Sequence, residues 1–174
     1  MQFKHKYSQF EYLYSVFFQL NHYCSKGPTL NKVLLHKKIF YALSFTTRSL
    51  PCITELYNLF YPEGKKIIPN NIYYLLTWEA LAHWVQGDGT YSSGITIQTQ
   101  SFTIKEIVLL INVLIIKFQL ECSIHTQEKY KVIYIKSKSI KKNFHLLLPY
   151  IHPTMIYKFK GPQYKLKSKF NTMK

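Results

Sequence analysis

The order of local patterns repeats along this chain, and that limits its fold more than any single motif. Residues 8–23 (SQFEYLYSVFFQLNHY) place apolar side chains at helical spacing, and Cys24-Ser25 follow. After a polar, turn-rich stretch, KIFYALSF (38–45) alternates as a strand and ends in TTRS (46–49). Pro51 opens another helix, ITELYNLFY, which stops near PEG at 62–64. Residues 102–120 (FTIKEIVLLINVLIIKFQL) restart the series with a helix of wide apolar face, followed by Cys122-Ser123. A hairpin, SIHTQEKYKVIYI (123–135), turns near Gln127–Lys129 and ends in KSKS (136–139). A last helix, IKKNFHLLLPYI (140–151), is closed by Pro149 and Pro153. Both halves read helix, Cys-Ser, hairpin, basic-x-Ser, helix, with Arg48-Ser49 set against Lys138-Ser139.

The second half has more in front of it. Thr77 suits a helix cap, Trp78-Glu79-Ala80 suit a first turn, and the helix ends at Gly87-Asp88-Gly89. Tyr91–Ser101 then supplies a strand, GITIQTQS, with Thr96, Gln98 and Gln100 on one face. The second half is therefore αββαββα, an α+β arrangement. Stepping back from Cys24 by the spacing that separates Cys122 from Asp88 leads upstream of Met1. The expected organisation is one complete repeat preceded by a partial one. Residues 1–66 form a truncated first repeat lacking its acidic helix, 67–76 a linker, 77–159 the complete repeat, and 160–174 a basic mobile tail.

Composition decides the class of partner. Lys+Arg number 23 against Asp+Glu 8, a formal charge of +15, where roughly 2–8 is usual for a small domain. Such an excess suits a polyanion, with nucleic acid first and an anionic membrane surface second. Nearly all of it is lysine, since Arg48 is the sole arginine. Abundant Lys, Asn, Ile, Tyr and Phe have AT-rich codons, as in an organellar gene. The three cysteines, Cys24, Cys52 and Cys122, lack a CxxC pair and zinc spacing, so reduced, buried thiols are expected. No cleavable leader is visible at Met1. The longest apolar run, IVLLINVLII (107–116), falls short of the ~20 residues of a membrane span and contains Asn112.

The single aspartate of the chain is Asp88. A helix C-terminus carries partial negative charge, which disfavours a carboxylate there by ~0.3–1 kcal/mol. A positive partner is therefore expected. The Asp88 carboxylate and the Gly87 carbonyl are hard oxygen donors suited to Mg²⁺. On the residues alone, Asp-Gly is equally a common turn pair. Ala80, His83, Trp84 and Gly87 fall on one side of the helix, with Gly87 placed where a partner backbone can approach closely.

LAHWVQGDG (81–89) closely resembles the motif of LAGLIDADG homing endonucleases of the organellar intron-encoded type. The resemblance extends through TTRSLPCITELYNLFYPEGKKIIPNNIYYLLT (46–77), TQSFTIKEIVLLINVLIIKF (99–118) and YKVIYIKSKSIKKNFHLLLPYIHPTMIYKF (130–159), and more loosely over 1–45. It implies paired motif helices, each ending in an acidic ligand to a shared divalent metal, Mg²⁺ or Mn²⁺. It also implies basic sheets that saddle a double-stranded DNA target and cut both strands. Maturase activity on a host intron RNA is the family's alternative role. The resemblance assigns Asp88 and Gly87 to the metal, and Thr96, Gln98, Gln100, Lys129, Lys131 and Lys136 to the DNA face. Lys138 and Arg48 are expected near the scissile phosphates, and Ala80, His83, Trp84 and Gly87 at the helix interface. A mitochondrial setting is expected over a chloroplast one, with no membrane association. The chain departs from the pattern at Gln86, where the motif has an acid, and at His83, where it has glycine. It holds no second motif, so a second acidic helix is expected from an upstream extension or another subunit.

Overall fold

The computed structural model describes residues 1–35 and 38–161. These divide into two compact units, 1–58 and 59–161. The expected tail lies outside the described residues from 162 onward.

The first unit begins with a strand the sequence does not announce. β1 (Gln2–Lys6) alternates exposed and half-buried residues and carries one large apolar side chain, Phe3. It exists because β3 (Lys38–Thr46) pairs with it antiparallel, and Phe3 stacks on Phe45 at 4.8 Å between ring centroids. Between them come α1 (Phe10–Leu20) and β2 (Thr29–Leu35), in part of the stretch read as polar and turn-rich. The sheet order is β1-β3-β2. Leu13 of α1 packs on Leu43 and Phe45 of β3, with Phe17 edge-on to Phe45 at 5.4 Å. These aromatic rings fill a core rather than offering stacking surfaces. α2 (Pro51–Phe60) follows and runs to the unit boundary.

The second unit opens with a segment that is more than a linker. Within 67–76, Ile68, Ile72 and Leu76 are buried and a short helix, α3 (Ile72–Leu75), forms. Then come α4 (Trp78–Asp88), β4 (Gly89–Tyr91), β5 (Gly94–Ile97), α5 (Ile104–Phe118), β6 (Cys122–Gln127), β7 (Tyr130–Lys136) and α6 (Ser137–Leu147), which is the αββαββα order; α7 (Tyr157–Lys160) closes the described chain. The antiparallel sheet has order β4-β5-β7-β6. Ile95, Ile97, Ile133 and Ile135 share its inner face and are fully buried in a core with Leu81 and Val85 of α4 and Leu110 and Leu114 of α5. No helix among the described residues is long and apolar enough to cross a membrane.

β5 stops at Ile97, short of the expected Ser101. Thr99 leaves the ladder and its hydroxyl donates to the Lys131 carbonyl at 2.7 Å, while Phe102 N–H turns back onto Thr99. Thr103 then caps α5 in a capping box with Glu106. The other Glu106 oxygen accepts from Ile68 N–H at 2.9 Å, which ties the segment before α3 to α5. Burial works to raise the Glu106 pKa, but hydrogen bonds from Thr103 and Ile68 and the Lys65 charge hold it below the usual value.

The two hairpins correspond differently from the sequence match. Cys24 bridges Thr47, and Arg48 N–H donates to Tyr23 O at 2.8 Å. Likewise Cys122 pairs with Ile135, and Lys136 N–H donates to Glu121 O at 2.9 Å. Arg48 is thus the counterpart of Lys136, not Lys138. Lys138 belongs to the first turn of α6 rather than to a hairpin. Of the cysteines, Cys52 is exposed and Cys24 and Cys122 are half-buried; burial pushes the Cys122 thiol up to about 12.

Thr103→Ala is expected to cost about 1 kcal/mol, the usual value of a cap. Glu106→Ala, which also frees Ile68 N–H, is expected to cost about 2 kcal/mol. Urea unfolding measures both; equal losses would show that the Ile68 bond contributes nothing. A lowered carboxyl stabilises above its unfolded pKa and less as pH falls through it, so Glu106→Gln should flatten the acid limb of stability against pH.

Candidate functional site

The site is built on the end of α4. Thr77 caps its start, accepting from Ala80 N–H at 3.1 Å. Asp88 is the last helical residue and is exposed, as is Gly87. The chain turns directly into β4 at Gly89, whose N–H closes onto Val85 O. A Cβ on Gly89 would lie 2.5 Å from that same carbonyl oxygen, so only glycine permits this exit.

The positive partner expected for Asp88 is a side chain of the chain itself. Lys158 of α7 donates to Gly89 O at 2.8 Å and to Gly87 O at 3.3 Å. Burial lowers its pKa, while the charge of Asp88 raises it. An ammonium at a helix C-terminus offsets the partial charge that disfavours the carboxylate. Lys158 was absent from the sequence candidates; the available signal was a lysine set among Ile156, Tyr157 and Phe159.

Gln86, which stands where the resemblance expects an acid, is fully buried. Its amide donates to Ala82 O at 3.2 Å and Tyr150 O at 3.1 Å, and accepts from His152 N–H at 2.8 Å. It pins the 150–152 segment to α4, and that segment leads to α7 and Lys158. The helix face expected at an interface is open at Ala80 and Gly87, while Trp84 is half-buried against the core. Ala80 is exposed, and a Cβ on Gly87 would meet nothing within 4 Å. Ala80, Trp84 and Asp88 line an otherwise mostly apolar groove of about 260 Å³ with Phe60, Leu76 and Phe102. His83 is half-buried; burial lowers its pKa against the raising charge of Glu79, so it stays neutral near pH 7.

The outward face of the sheet collects only some of the expected residues. Thr96 lies on it, opposite Tyr134, and Gln98 and Gln100 continue its alternation past the strand end. Gln98 N–H reaches Asp88 O at 3.5 Å, so this end of the sheet adjoins the helix terminus. Lys136 shares the outward parity but is paired with Glu121 at 3.0 Å. That hydrogen bond and the charge of Lys136 lower the Glu121 pKa. Lys131 shares the parity of Ile133 and Ile135, so it belongs to the opposite face, where it donates to Thr126 at 2.7 Å. Lys129 sits at the hairpin turn with its ammonium 5.4 Å from the Tyr130 ring centre. Lys138 is exposed on α6, and Arg48, in the first unit, donates to His22 O at 2.8 Å. Four outward residues went unnoticed in the sequence: Ser123, His125, Gln127 and Tyr134. No cluster of three His, Cys, Asp or Glu side chains fit for a metal occurs among the described residues.

This arrangement has known counterparts. The model of the LAGLIDADG DNA endonuclease family matches residues 1–142. The chain belongs to that family. It is 34% identical over 152 residues to the intron-encoded endonuclease ai4 of Dictyostelium discoideum, covering 82% of this chain and 95% of that one. It is 30% identical over 142 residues to the cytochrome b mRNA maturase bI2 of Debaryomyces hansenii, spanning 78% of this chain and 54% of the relative. Among solved structures, the homing endonuclease I-WcaI bound to its DNA recognition sequence superposes with a TM-score of 0.79 at 29% identity, covering 91% of this chain and 74% of the other.

Gln86→Leu is expected to destabilise the protein by roughly 2–3 kcal/mol, because buried partners lose their bonds. Gln86→Glu should be at least as damaging, since a carboxylate cannot donate to Tyr150 O and is costly to bury. Denaturant titration of both variants checks this; a neutral Gln86→Glu would show that the motif's usual acid fits this pocket.

Proposed function

We propose that this chain is a site-specific DNA endonuclease of the intron-homing kind, with Asp88 as its contribution to a divalent-metal centre. The observation that carries the reading is the single acidic side chain exposed at the end of α4, next to an outward sheet face carrying polar side chains. Asp88 and the Gly87 carbonyl are the donors this chain offers to Mg²⁺ or Mn²⁺, two hard oxygens of the kind such ions take. They fit one side of a site and call for further oxygens from outside this chain. When bound, the ion neutralises charge developing on a phosphodiester and lowers the pKa of a water. The chain's own residues orient and bind. Gln86 fixes the segment that delivers Lys158, and Lys158 holds the helix-end carbonyls and places positive charge beside Asp88. Hairpin lysines attract the backbone of double-stranded DNA.

A second acidic helix belongs on the open face of α4, against Ala80, Trp84 and Gly87, supplied upstream or by another subunit. The abundance of residues with AT-rich codons and the intron-encoded and cytochrome b relatives support a mitochondrial setting. The maturase names among the relatives support a second reading, binding of the host intron RNA during splicing.

The test is cleavage of a duplex carrying the intron-less junction of the host gene, with a second acidic helix supplied. Asp88→Asn is expected to lower the rate at least 100-fold, the scale of a lost transition-state electrostatic contact, while binding changes by less than about threefold. Cleavage that survives Asp88→Asn would refute the assignment. Splicing that survives Asp88→Asn but fails when the hairpin lysines are reversed in charge would favour the maturase reading.

A further inference from the structure

The outward face of the β4-β5-β7-β6 sheet holds two separate side-chain networks. One is a relay of amides at the end nearest Asp88. Gln100 Nε2 donates to Gln98 Oε1 at 3.2 Å, and Gln98 Nε2 donates to Gln127 Oε1 at 3.2 Å. The relay uses one amide hydrogen of Gln100 and leaves the carbonyl and second amide hydrogen of that residue outside it. A donor and an acceptor on one amide match the N7 and N6 edge of adenine in the major groove, and the relay holds Gln100 in place to present them.

The other network lies toward the β4–β5 turn. Gly94 leaves bare backbone there, and a Cβ at that position would sit 2.6 Å from the Tyr134 hydroxyl oxygen and 2.7 Å from its ring. Tyr134 therefore lies close over Gly94. Its hydroxyl shares a hydrogen bond with Ser93 at 3.1 Å, and His125 stacks on the ring at 4.5 Å with 13° between their planes. His125 Nε2 in turn bonds the Ser123 hydroxyl at 3.1 Å. Four side chains from the β4–β5 turn, β7 and β6 are thus locked into a rigid aromatic patch edged with hydroxyls. Such a patch offers apolar contact to a thymine methyl and hydrogen bonds to either partner base.

We propose that this face reads DNA in two blocks, an adenine-directed one through the glutamine relay and a thymine-directed one through the Tyr134–His125 patch. The proposal rests on the endonuclease reading above. Gln127 pairs with Tyr130, and Tyr134 lies four residues along the same strand. At a rise of ~3.4 Å per strand residue and ~3.4 Å per base pair, Tyr134 stands about four base pairs from Gln127, and His125, two residues along β6 from it, about two. Each network is bonded internally and shares no side chain with the other, so the two blocks should fail independently.

The test is selection of bound sequences from a randomised duplex pool in metal-free buffer, by the wild-type protein and by Gln127→Ala, His125→Ala and Tyr134→Phe. The wild type should yield a consensus. Gln127→Ala should lower base preference about tenfold in one block, and His125→Ala in another about two to four positions away. Tyr134→Phe keeps the ring and its packing, so it should weaken the second block even if His125→Ala fails to fold. Loss at the same positions in all variants, or at none, would overturn the two-block inference and leave the endonuclease reading standing. No wild-type consensus would overturn both.

Discussion

The end of α4 is where this structure has to solve its hardest electrostatic problem. A helix C-terminus repels a carboxylate, yet Asp88 occupies it, and the helix must also turn at once into a strand. Lys158 settles the first difficulty by bonding the carbonyls of Gly87 and Gly89. Gly89 settles the second, because no side chain fits against Val85 O. Gln86 makes both arrangements durable. Two of its hydrogen bonds hold the segment from which α7 departs, so a buried amide two residues back controls where the ammonium arrives. With the helix end fixed, Gly89 opens the sheet edge and Gln98 is set opposite Asp88.

The order of elements was legible because it is written in short-range periodicity. The apolar spacing of 104–118 and the alternation of 130–136 each declare one element without reference to the rest of the chain. β1 was not legible, since five residues with one large apolar side chain become a strand only when β3 lies alongside. The site was half legible. Asp88 stands out as a lone acid between glycines, whereas Gln86 and Lys158 act through partners 64 to 71 residues away. Lys131 shows a different failing: grouped with the other hairpin lysines, it was assigned to the DNA face although the parity it shares with Ile133 and Ile135 puts it on the other side.

The same parity separates the jobs of charge and of recognition. The side chains bonded into networks on the outward face are glutamines, serines, a tyrosine and a histidine, with no lysine among them. The cations stand at its margins, with Lys136 tied to Glu121, Lys129 at the turn and Lys138 on α6. Long-range attraction by the +15 chain needs no fixed geometry, so lysines can serve it from flexible, exposed positions. Reading a base edge needs donors and acceptors held in place, and only the internally bonded polar residues meet that condition.

Lys158 and a divalent ion would draw on the same oxygens, and the two bonds of Lys158 decide how they coexist. The contact to Gly89 O is short at 2.8 Å, while that to Gly87 O is long at 3.3 Å. A cation using the Gly87 carbonyl together with Asp88 therefore costs the lysine only its weaker bond. The ammonium keeps its hold on Gly89 and stays beside the carboxylate. Without metal it offsets the charge of Asp88 and the helix end, and with the proposed metal bound it would remain as a second positive centre. The lone carboxylate can thus stand exposed at an unfavourable helix end in either state, with the open face of α4 still free to receive a partner.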